Sequence, residues 1–163
     1  PKSFFALSPG ASYGPAKQWP INYYRKLAKK INKFFNCKIL ILGTLKDFAQ
    51  AEEISSGLDS VNNLCGKTSP EQLLAILSKA ILLVSNDSGS MHLMGALQKP
   101  QIAIFGSTSP KWTSPINPYS IVINKDIKCS PCFERTCKYK HYECMTKITP
   151  ELVFSKIQNS LCK

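Results

Sequence analysis

Two hydrophobic patterns alternate along the chain. One consists of short continuous apolar runs, and the other of longer segments in which apolar residues recur every three or four positions. The first pattern is typical of strands buried on both faces, and the second of amphipathic helices. The predicted strands are 4–7, 38–43, 61–64, 81–85, 101–106 and 119–123, and the predicted helices are 21–35, 47–56, 69–77, 89–97 and 149–161. This alternation predicts an α/β fold with a Rossmann-like, doubly wound parallel sheet.

Helix starts are marked by hydroxyl residues that can cap the free N–H groups of a first turn. Ser69 precedes Pro70 and has Gln72 three residues on, which is the pattern of a capping box. Thr149 precedes Pro150 in the same way. Ser88 is predicted to cap the helix that follows the fourth strand.

The turn between the fourth strand and its helix carries the most chemistry. In a parallel sheet, ligands bind at the carboxyl ends of strands, where the first N–H groups of a helix attract anions. Gly89 would let such a ligand approach the backbone, whereas Asp87 would repel an anion and should instead accept hydrogen bonds from sugar hydroxyls. His92 lies one helical turn beyond Ser88 on the same face. The alternative is that Asp87 and Ser88 only cap a helix.

Two further loops should reach the same edge of the sheet. Residues 8–20 follow the first strand, and their Gly and Pro content predicts no regular structure. Lys17 is the only charged residue in this loop and could offset the charge of a diphosphate, although an ordinary surface lysine is the alternative. Ser107 and Thr108 follow the fifth strand. The sequence has neither a Gly-x-Gly-x-x-Gly nor a P-loop pattern, which argues against a nicotinamide dehydrogenase and a P-loop ATPase.

Length and charge limit the choice of partner. With 163 residues and 44% hydrophobic composition, residues 1–163 are predicted to form a single domain. The net charge of +11 favours an anionic partner: a nucleotide, a phosphorylated glycan, an acidic membrane surface or nucleic acid. The chain has no apolar run that could span a bilayer and no signal-peptide layout. It does not begin with Met, as expected of a piece of a longer protein.

Residues 129–144 form a cysteine segment with the spacing C-x2-C-x4-C-x6-C. Its thiols, Cys129, Cys132, Cys137 and Cys144, could hold zinc, but a second C-x2-C pair is lacking. We therefore favour free thiols in a reducing compartment over a metal site, and either over disulfides.

Three stretches of sequence resemble one family of glycosyltransferases. They are 9–20 (Pro-Gly-Ala-Ser-Tyr-Gly-Pro-Ala-Lys-Gln-Trp-Pro), 86–92 (Asn-Asp-Ser-Gly-Ser-Met-His) and 105–110 (Phe-Gly-Ser-Thr-Ser-Pro). Together and in this order, the three stretches resemble motifs of the ADP-heptose:lipopolysaccharide heptosyltransferases. The resemblance extends from about Ser8 to Leu161 and is greatest to the heptosyltransferase II branch. Members have two Rossmann-like domains in the GT-B arrangement. The chain resembles the C-terminal, nucleotide-sugar-binding half, so the N-terminal acceptor domain is absent from it.

The resemblance implies a role for each matching residue. Lys17 would neutralise the leaving pyrophosphate of the donor, ADP-heptose, and Asp87 would hold heptose hydroxyls. Ser88, Gly89 and His92 would line the diphosphate and the sugar. Asp47 is the nearest match to the acidic residue that binds the ribose. The family's general base has no counterpart here, so this piece alone is expected to be inactive, and no cofactor is required.

The resemblance also implies the partners and the location. The acceptor would be the lipopolysaccharide core, bound through the missing domain, and the protein would be cytoplasmic, with possible peripheral contact to the anionic inner face of the inner membrane. Two alternatives remain. One is a non-catalytic nucleotide-binding domain. The other, ranked lower, is a basic nucleic-acid-binding module that uses aromatic residues of the cysteine segment, Phe133, Tyr139 and Tyr142; nucleic acid is therefore not an expected partner.

Overall fold

A computed structural model of the chain describes residues 3–162, and in that range six strands form one sheet. The strands are β1 (Phe4–Ser8), β2 (Lys38–Ile41), β3 (Val61–Asn63), β4 (Leu83–Asn86), β5 (Gln101–Ile104) and β6 (Ser120–Ile123). Their order is β3-β2-β1-β4-β5-β6, and all neighbouring strands are parallel. This order reverses at β1 and β4, as in doubly wound nucleotide-binding folds, so the predicted fold class is confirmed.

Helices connect the strands. They are α1 (Ile21–Phe35), α2 (Phe48–Ser55), α3 (Pro70–Lys79), α4 (Gly89–Ala96), α5 (Pro110–Thr113), α6 (Glu143–Thr146) and α7 (Pro150–Leu161). The sequence pattern did not predict α5 and α6, because a helix of four residues is too short to show a hydrophobic period. It also missed a 3-10 turn at Pro15–Lys17 inside the loop after β1, where Pro15 presets a helical φ.

The two faces of the sheet bury different helices because side chains alternate along each strand. Phe5 and Leu7 of β1 belong to a large core with α1, α2 and α7. Phe4 and Ala6 of the same strand belong to a second core with α3 and α4. The helices therefore cover both faces, and ligand access is left to the edge at which the strands end.

Two of the three predicted helix caps are present. Ser69 Oγ accepts the Gln72 N–H while the Gln72 side chain accepts the Ser69 N–H, and Thr149 Oγ1 accepts the Leu152 N–H. The prediction for Ser88 was wrong. Ser88 does occupy the N-cap position of α4, but its hydroxyl reaches no N–H of the first turn and is buried without a partner in the described chain.

No helix within residues 3–162 combines the length and the apolar character needed to cross a bilayer.

Candidate functional site

Three segments meet at the carboxyl edge of the sheet because β1, β4 and β5 are neighbours. They are the β1 loop (residues 9–20), the β4 turn (residues 87–88) and the β5 loop (residues 105–109). Their convergence was predicted, and the contacts below show how closely they approach one another.

Lys17 and Asp87 form an ion pair between the β1 loop and the β4 turn. Lys17 Nζ lies 2.6 Å from Asp87 Oδ2, and the two side chains are only 12% and 4% exposed. The ammonium also lies 4.7 Å from the centre of the Tyr13 ring. Lys17 was predicted to serve a ligand, and the structure shows its charge balanced by a nearly buried carboxylate.

The β5 side of the site converges on the same carboxylate. Thr108 Oγ1 donates to Asp87 Oδ2 over 2.7 Å, and Thr113 Oγ1 of α5 donates to it over 3.3 Å. Three donors, one charged and two neutral, thus meet at a single oxygen atom. The structure brings together Lys17, Asp87 and Thr108; the sequence predicted that their three loops meet, but not that these side chains contact one another.

Asn86, the last residue of β4, fixes the position of the β1 loop. Its side-chain carbonyl accepts the Trp19 N–H over 3.0 Å and the Tyr24 hydroxyl over 3.1 Å. Its amide donates to the carbonyl of Pro9 over 2.6 Å. Burial raises the pKa of Tyr24 far above its usual value, so this hydroxyl stays a hydrogen-bond donor.

Two serine hydroxyls at this edge have no partner within the described residues. Ser88 Oγ and Ser107 Oγ are both buried and unbonded. Buried hydroxyls are usually paired, so an unpaired one at a strand end indicates a place for a ligand or water. Gly89 is exposed next to Ser88, and a Cβ added there would meet no atom within 4 Å. The start of α4 therefore faces open space.

An open cleft of about 550 Å³ lies beside the start of α4, lined in part by Ser88, Gly89 and Asp47. Asp47 Oδ2 accepts the Thr44 N–H and the Thr44 hydroxyl, each over 2.8 Å. A Cβ added to Gly10 would lie 2.5 Å from Asp47 Oδ1, so the absence of a side chain at position 10 lets this carboxylate approach the β1 loop.

His92 is separated from these contacts. It is exposed on α4 and does not line the cleft, although its N–H bonds to the carbonyl of Ser88 over 3.4 Å. The sequence also left Asn86, Thr113 and Tyr13 without a role. Asn86 and Tyr13 lie inside the motifs, and Asn86 ends a buried strand, a signal that could have identified it. Thr113 carries no such signal.

Comparison with known proteins assigns the family. A model described as glycosyltransferase family 9 (heptosyltransferase) matches residues 1–143. The chain belongs to this family.

Individual relatives of this family 9 chain agree with the assignment. A lipooligosaccharide heptosyltransferase 2 of Campylobacter jejuni subsp. jejuni is 36% identical over 166 residues, covering 98% of this chain and 51% of that protein. The structure of E. coli ADP-heptose lps heptosyltransferase II matches with a TM-score of 0.86 at 29% identity, covering 99% and 47%. A second E. coli heptosyltransferase, solved with ADP, has a TM-score of 0.78 at 22% identity, covering 98% and 45%, and shows the shared fold. The chain thus spans about half the length of these relatives.

The cysteine segment of this family 9 chain is attached to both site loops. The Phe133 N–H donates to the carbonyl of Ser107 over 2.7 Å, and Ser130 Oγ donates to the carbonyl of Gly106 over 2.7 Å. On the other side, the Ala16 N–H donates to the carbonyl of Arg135 over 3.0 Å. The segment therefore bridges the β1 and β5 loops beside the site.

The four thiols of the segment line one cavity of about 250 Å³. Burial and then the neighbouring Cys132, Cys129 and Cys137 raise the pKa of Cys144. Desolvation also acts to raise the pKa of Cys137, but backbone N–H groups, with that of Tyr142 foremost, outweigh it and hold this pKa below its usual value.

All of these cysteines are free thiols. Within residues 3–162, no three His, Cys, Asp or Glu side chains form a group that could hold a metal ion. The zinc site that the spacing allowed is therefore not formed here, and metal-free thiols in solution stay a prediction.

Replacing Asn86 by Ala should lower the free energy of unfolding by about 2–4 kcal/mol, because the buried Trp19 N–H and Tyr24 hydroxyl would lose their acceptor. Urea denaturation measures the change. Asn62→Ala, at an exposed position of β3, is the matched control and should change it by less than about 0.5 kcal/mol. Equal losses in the two variants would show that Asn86 does not anchor the loop.

Lys17→Met should destabilise the fold by about 2–3 kcal/mol, because it leaves the nearly buried Asp87 carboxylate without a countercharge. Adding Asp87→Asn should recover part of that loss, so the double variant should be more stable than the sum of the single changes predicts. The exposed pair Lys147–Glu143, tested in the same cycle, should couple much more weakly because solvent screens it. Additive effects at Lys17 and Asp87 would contradict the pairing.

Proposed function

We propose that this chain is the donor-binding half of a glycosyltransferase that moves heptose from ADP-heptose to the inner core of lipopolysaccharide. One observation carries the proposal: in a member of glycosyltransferase family 9, the Lys17–Asp87 pair lies beside the open N-terminus of an eight-residue helix at the ligand-binding edge of the sheet. A cation, a hydroxyl acceptor and free backbone N–H groups are the donor and acceptor types that a nucleotide sugar needs.

The diphosphate is assigned to the start of α4. The first N–H groups of a helix have no partner within the helix, and the helix dipole adds a partial positive charge there. Gly89 has no side chain to block the approach, and Ser88 Oγ is an unused donor beside it. A fold relative solved with ADP supports a nucleotide as the ligand, while its placement at this edge rests on the contacts above.

The nucleoside is assigned to the cleft that Asp47 lines. Carboxylate oxygens accept hydrogen bonds, so Asp47 is suited to ribose hydroxyls at the end of β2. Both of its oxygens lie against Gly10, and only Oδ2 accepts a hydrogen bond, from Thr44, within the described residues. We therefore assign Oδ1 to the ribose.

The heptose is assigned to Asp87. This carboxylate already accepts the hydroxyls of Thr108 and Thr113, so its surroundings suit hydroxyl donors. Lys17, held against it, offsets the charge that builds on the β-phosphate as the glycosidic bond breaks. His92, one helical turn along α4 from Ser88, is exposed and is assigned to the outer part of the bound sugar.

The acceptor side of the reaction is assigned to a second domain. Transfer with inversion needs a base that removes the proton of the acceptor hydroxyl while the hydroxyl oxygen attacks the anomeric carbon. Asp87, the carboxylate assigned to the sugar, is engaged with Lys17 and two threonines and is therefore not assigned this part. The net charge of +11 suits an anionic glycolipid at the cytoplasmic face of the inner membrane.

Asp87→Asn and Lys17→Ala should separate sugar from phosphate recognition. The Asp87 variant should bind ADP no more weakly than the unmodified chain but ADP-heptose about tenfold or more weakly, since an amide is a poorer hydroxyl acceptor than a carboxylate. The Lys17 variant should lose about 1–3 kcal/mol for both ligands. Calorimetry with each ligand measures the four values. A Lys17 variant with unchanged ADP affinity, or an Asp87 variant with unchanged ADP-heptose affinity, would overturn the corresponding role.

Residues 1–163 alone should bind ADP-heptose but transfer no heptose, because the acceptor and its base are not aligned with the donor carbon. The measurement is heptose transfer to a lipopolysaccharide core acceptor, with and without an added N-terminal half taken from a relative. Transfer by this chain alone would refute the assignment of the base to a second domain, and restored transfer in the mixture would support it.

A further inference from the structure

Two cations share the ring of Tyr13 at the edge of the site. Lys17 Nζ lies 4.7 Å from the ring centre, and the guanidinium carbon of Arg135 lies 5.2 Å from it. The Tyr13 hydroxyl donates to the carbonyl of Phe133, so the ring is fixed to the cysteine segment. Lys17 and Arg135 are therefore near neighbours in space, although 118 residues apart in sequence.

Arg135 is held in place by its backbone. Its carbonyl accepts the Ala16 N–H over 3.0 Å, one residue before Lys17. A Cβ on Gly14 would lie 2.5 Å from this carbonyl oxygen, so only glycine allows the segment to lie this close to the β1 loop. Because the anchor is the backbone, the Arg135 side chain can contact a ligand without disturbing the contact between the two segments.

The charges of the two cations are balanced differently. Lys17 is paired with Asp87, and that pair carries no net charge. Arg135 belongs to none of the ion pairs formed within residues 3–162, and its side chain is exposed. The Tyr13 ring attracts the guanidinium through its quadrupole but carries no net charge. The positive charge that remains at this place is that of Arg135.

A diphosphate needs more cationic charge than the pair provides. At neutral pH it carries at least two negative charges, and Asp47 adds another carboxylate to the neighbouring cleft. The partial charge at the start of α4 amounts to about half an elementary charge. A guanidinium beside Lys17 supplies the missing charge, and its planar set of N–H donors matches two phosphate oxygens at once.

We propose that Arg135 is a diphosphate-binding residue, which the cysteine segment delivers to the site and which acts beside Lys17 on the β-phosphate of the nucleotide sugar. This assignment rests on the function proposed above and adds a part for the segment in substrate binding. In this assignment the cysteine segment contributes a ligand-binding side chain and also connects the β1 and β5 loops.

Arg135→Gln should weaken ADP binding about tenfold, as expected for the loss of a charge-assisted phosphate contact, and should weaken AMP binding much less, because AMP has no β-phosphate. Arg135→Lys should recover part of the ADP affinity, since lysine keeps the charge but lacks the planar set of N–H donors that can bind two phosphate oxygens at once. Calorimetry of residues 1–163 with ADP and AMP provides the values, and thermal unfolding verifies that each variant is folded.

Lys138→Gln is the matched control. It removes the same charge from an exposed position three residues further along the segment and should leave ADP affinity within about twofold of the unmodified chain. If the unmodified chain binds ADP and Arg135→Gln binds it equally well, or if both variants lose affinity to the same extent, the role of Arg135 is refuted while the proposed function stands. Failure of the unmodified chain to bind ADP would instead refute the function.

Discussion

A single buried amide, that of Asn86, holds the site together. Asn86 is the last residue of β4, and its side-chain amide bonds to the β1 loop at two places. It donates to the carbonyl of Pro9 near the start of the loop and accepts the N–H of Trp19 near its end. Trp19 is in turn fixed by its indole N–H, which donates to the carbonyl of Ile148 over 2.7 Å. Lys17 lies two residues before Trp19, so the contact between its ammonium and Asp87 depends on these bonds. Asp87 follows Asn86 directly. The end of β4 therefore positions both the β1 loop, which carries Lys17, and the Asp87 carboxylate with which Lys17 pairs.

The ion pair made possible in this way occupies the groups that the proposed ligand would contact. A nearly buried pair costs desolvation of both charges and recovers it through close contact and added hydrogen bonds, which Thr108 and Thr113 supply here. A phosphate that arrives near Lys17 competes with Asp87 for the same ammonium. A sugar hydroxyl that reaches Asp87 would then take the place of the Lys17 ammonium as a hydrogen-bond donor to this carboxylate. Under the proposed function, donor binding would be an exchange of partners, in which phosphate and sugar are each bound more readily when the other is present.

Much of this arrangement could be predicted from sequence, because the deciding signals are local. Continuous apolar runs identified the strands, and Ser69 and Thr149 were correctly predicted as helix caps from the residues that follow them. The pairing of Lys17 with Asp87 could not be predicted, since a separation of 70 residues leaves no local trace. Ser88 was misjudged for a related reason: residue type and position match a cap, but the orientation of its hydroxyl is set by packing in the folded chain. Four-residue helices such as α5 fall below the length at which periodicity is visible, so Thr113 could not be foreseen.

The cysteine segment shows how a stretch without regular secondary structure over most of its length can be kept in one conformation. Phe133, Lys140 and Tyr142 have positive φ values, which cost non-glycine residues about 1 kcal/mol or more each. Most of the segment is exposed, and Cys144 is the member of its thiol group that reaches the core. The contacts that offset this cost are therefore mainly its hydrogen bonds to the β1 and β5 loops, together with the stack of Phe133 on Trp112. Since those loops carry Lys17 and Thr108, the segment and the site stabilise one another. A ligand that orders the loops must also order the segment.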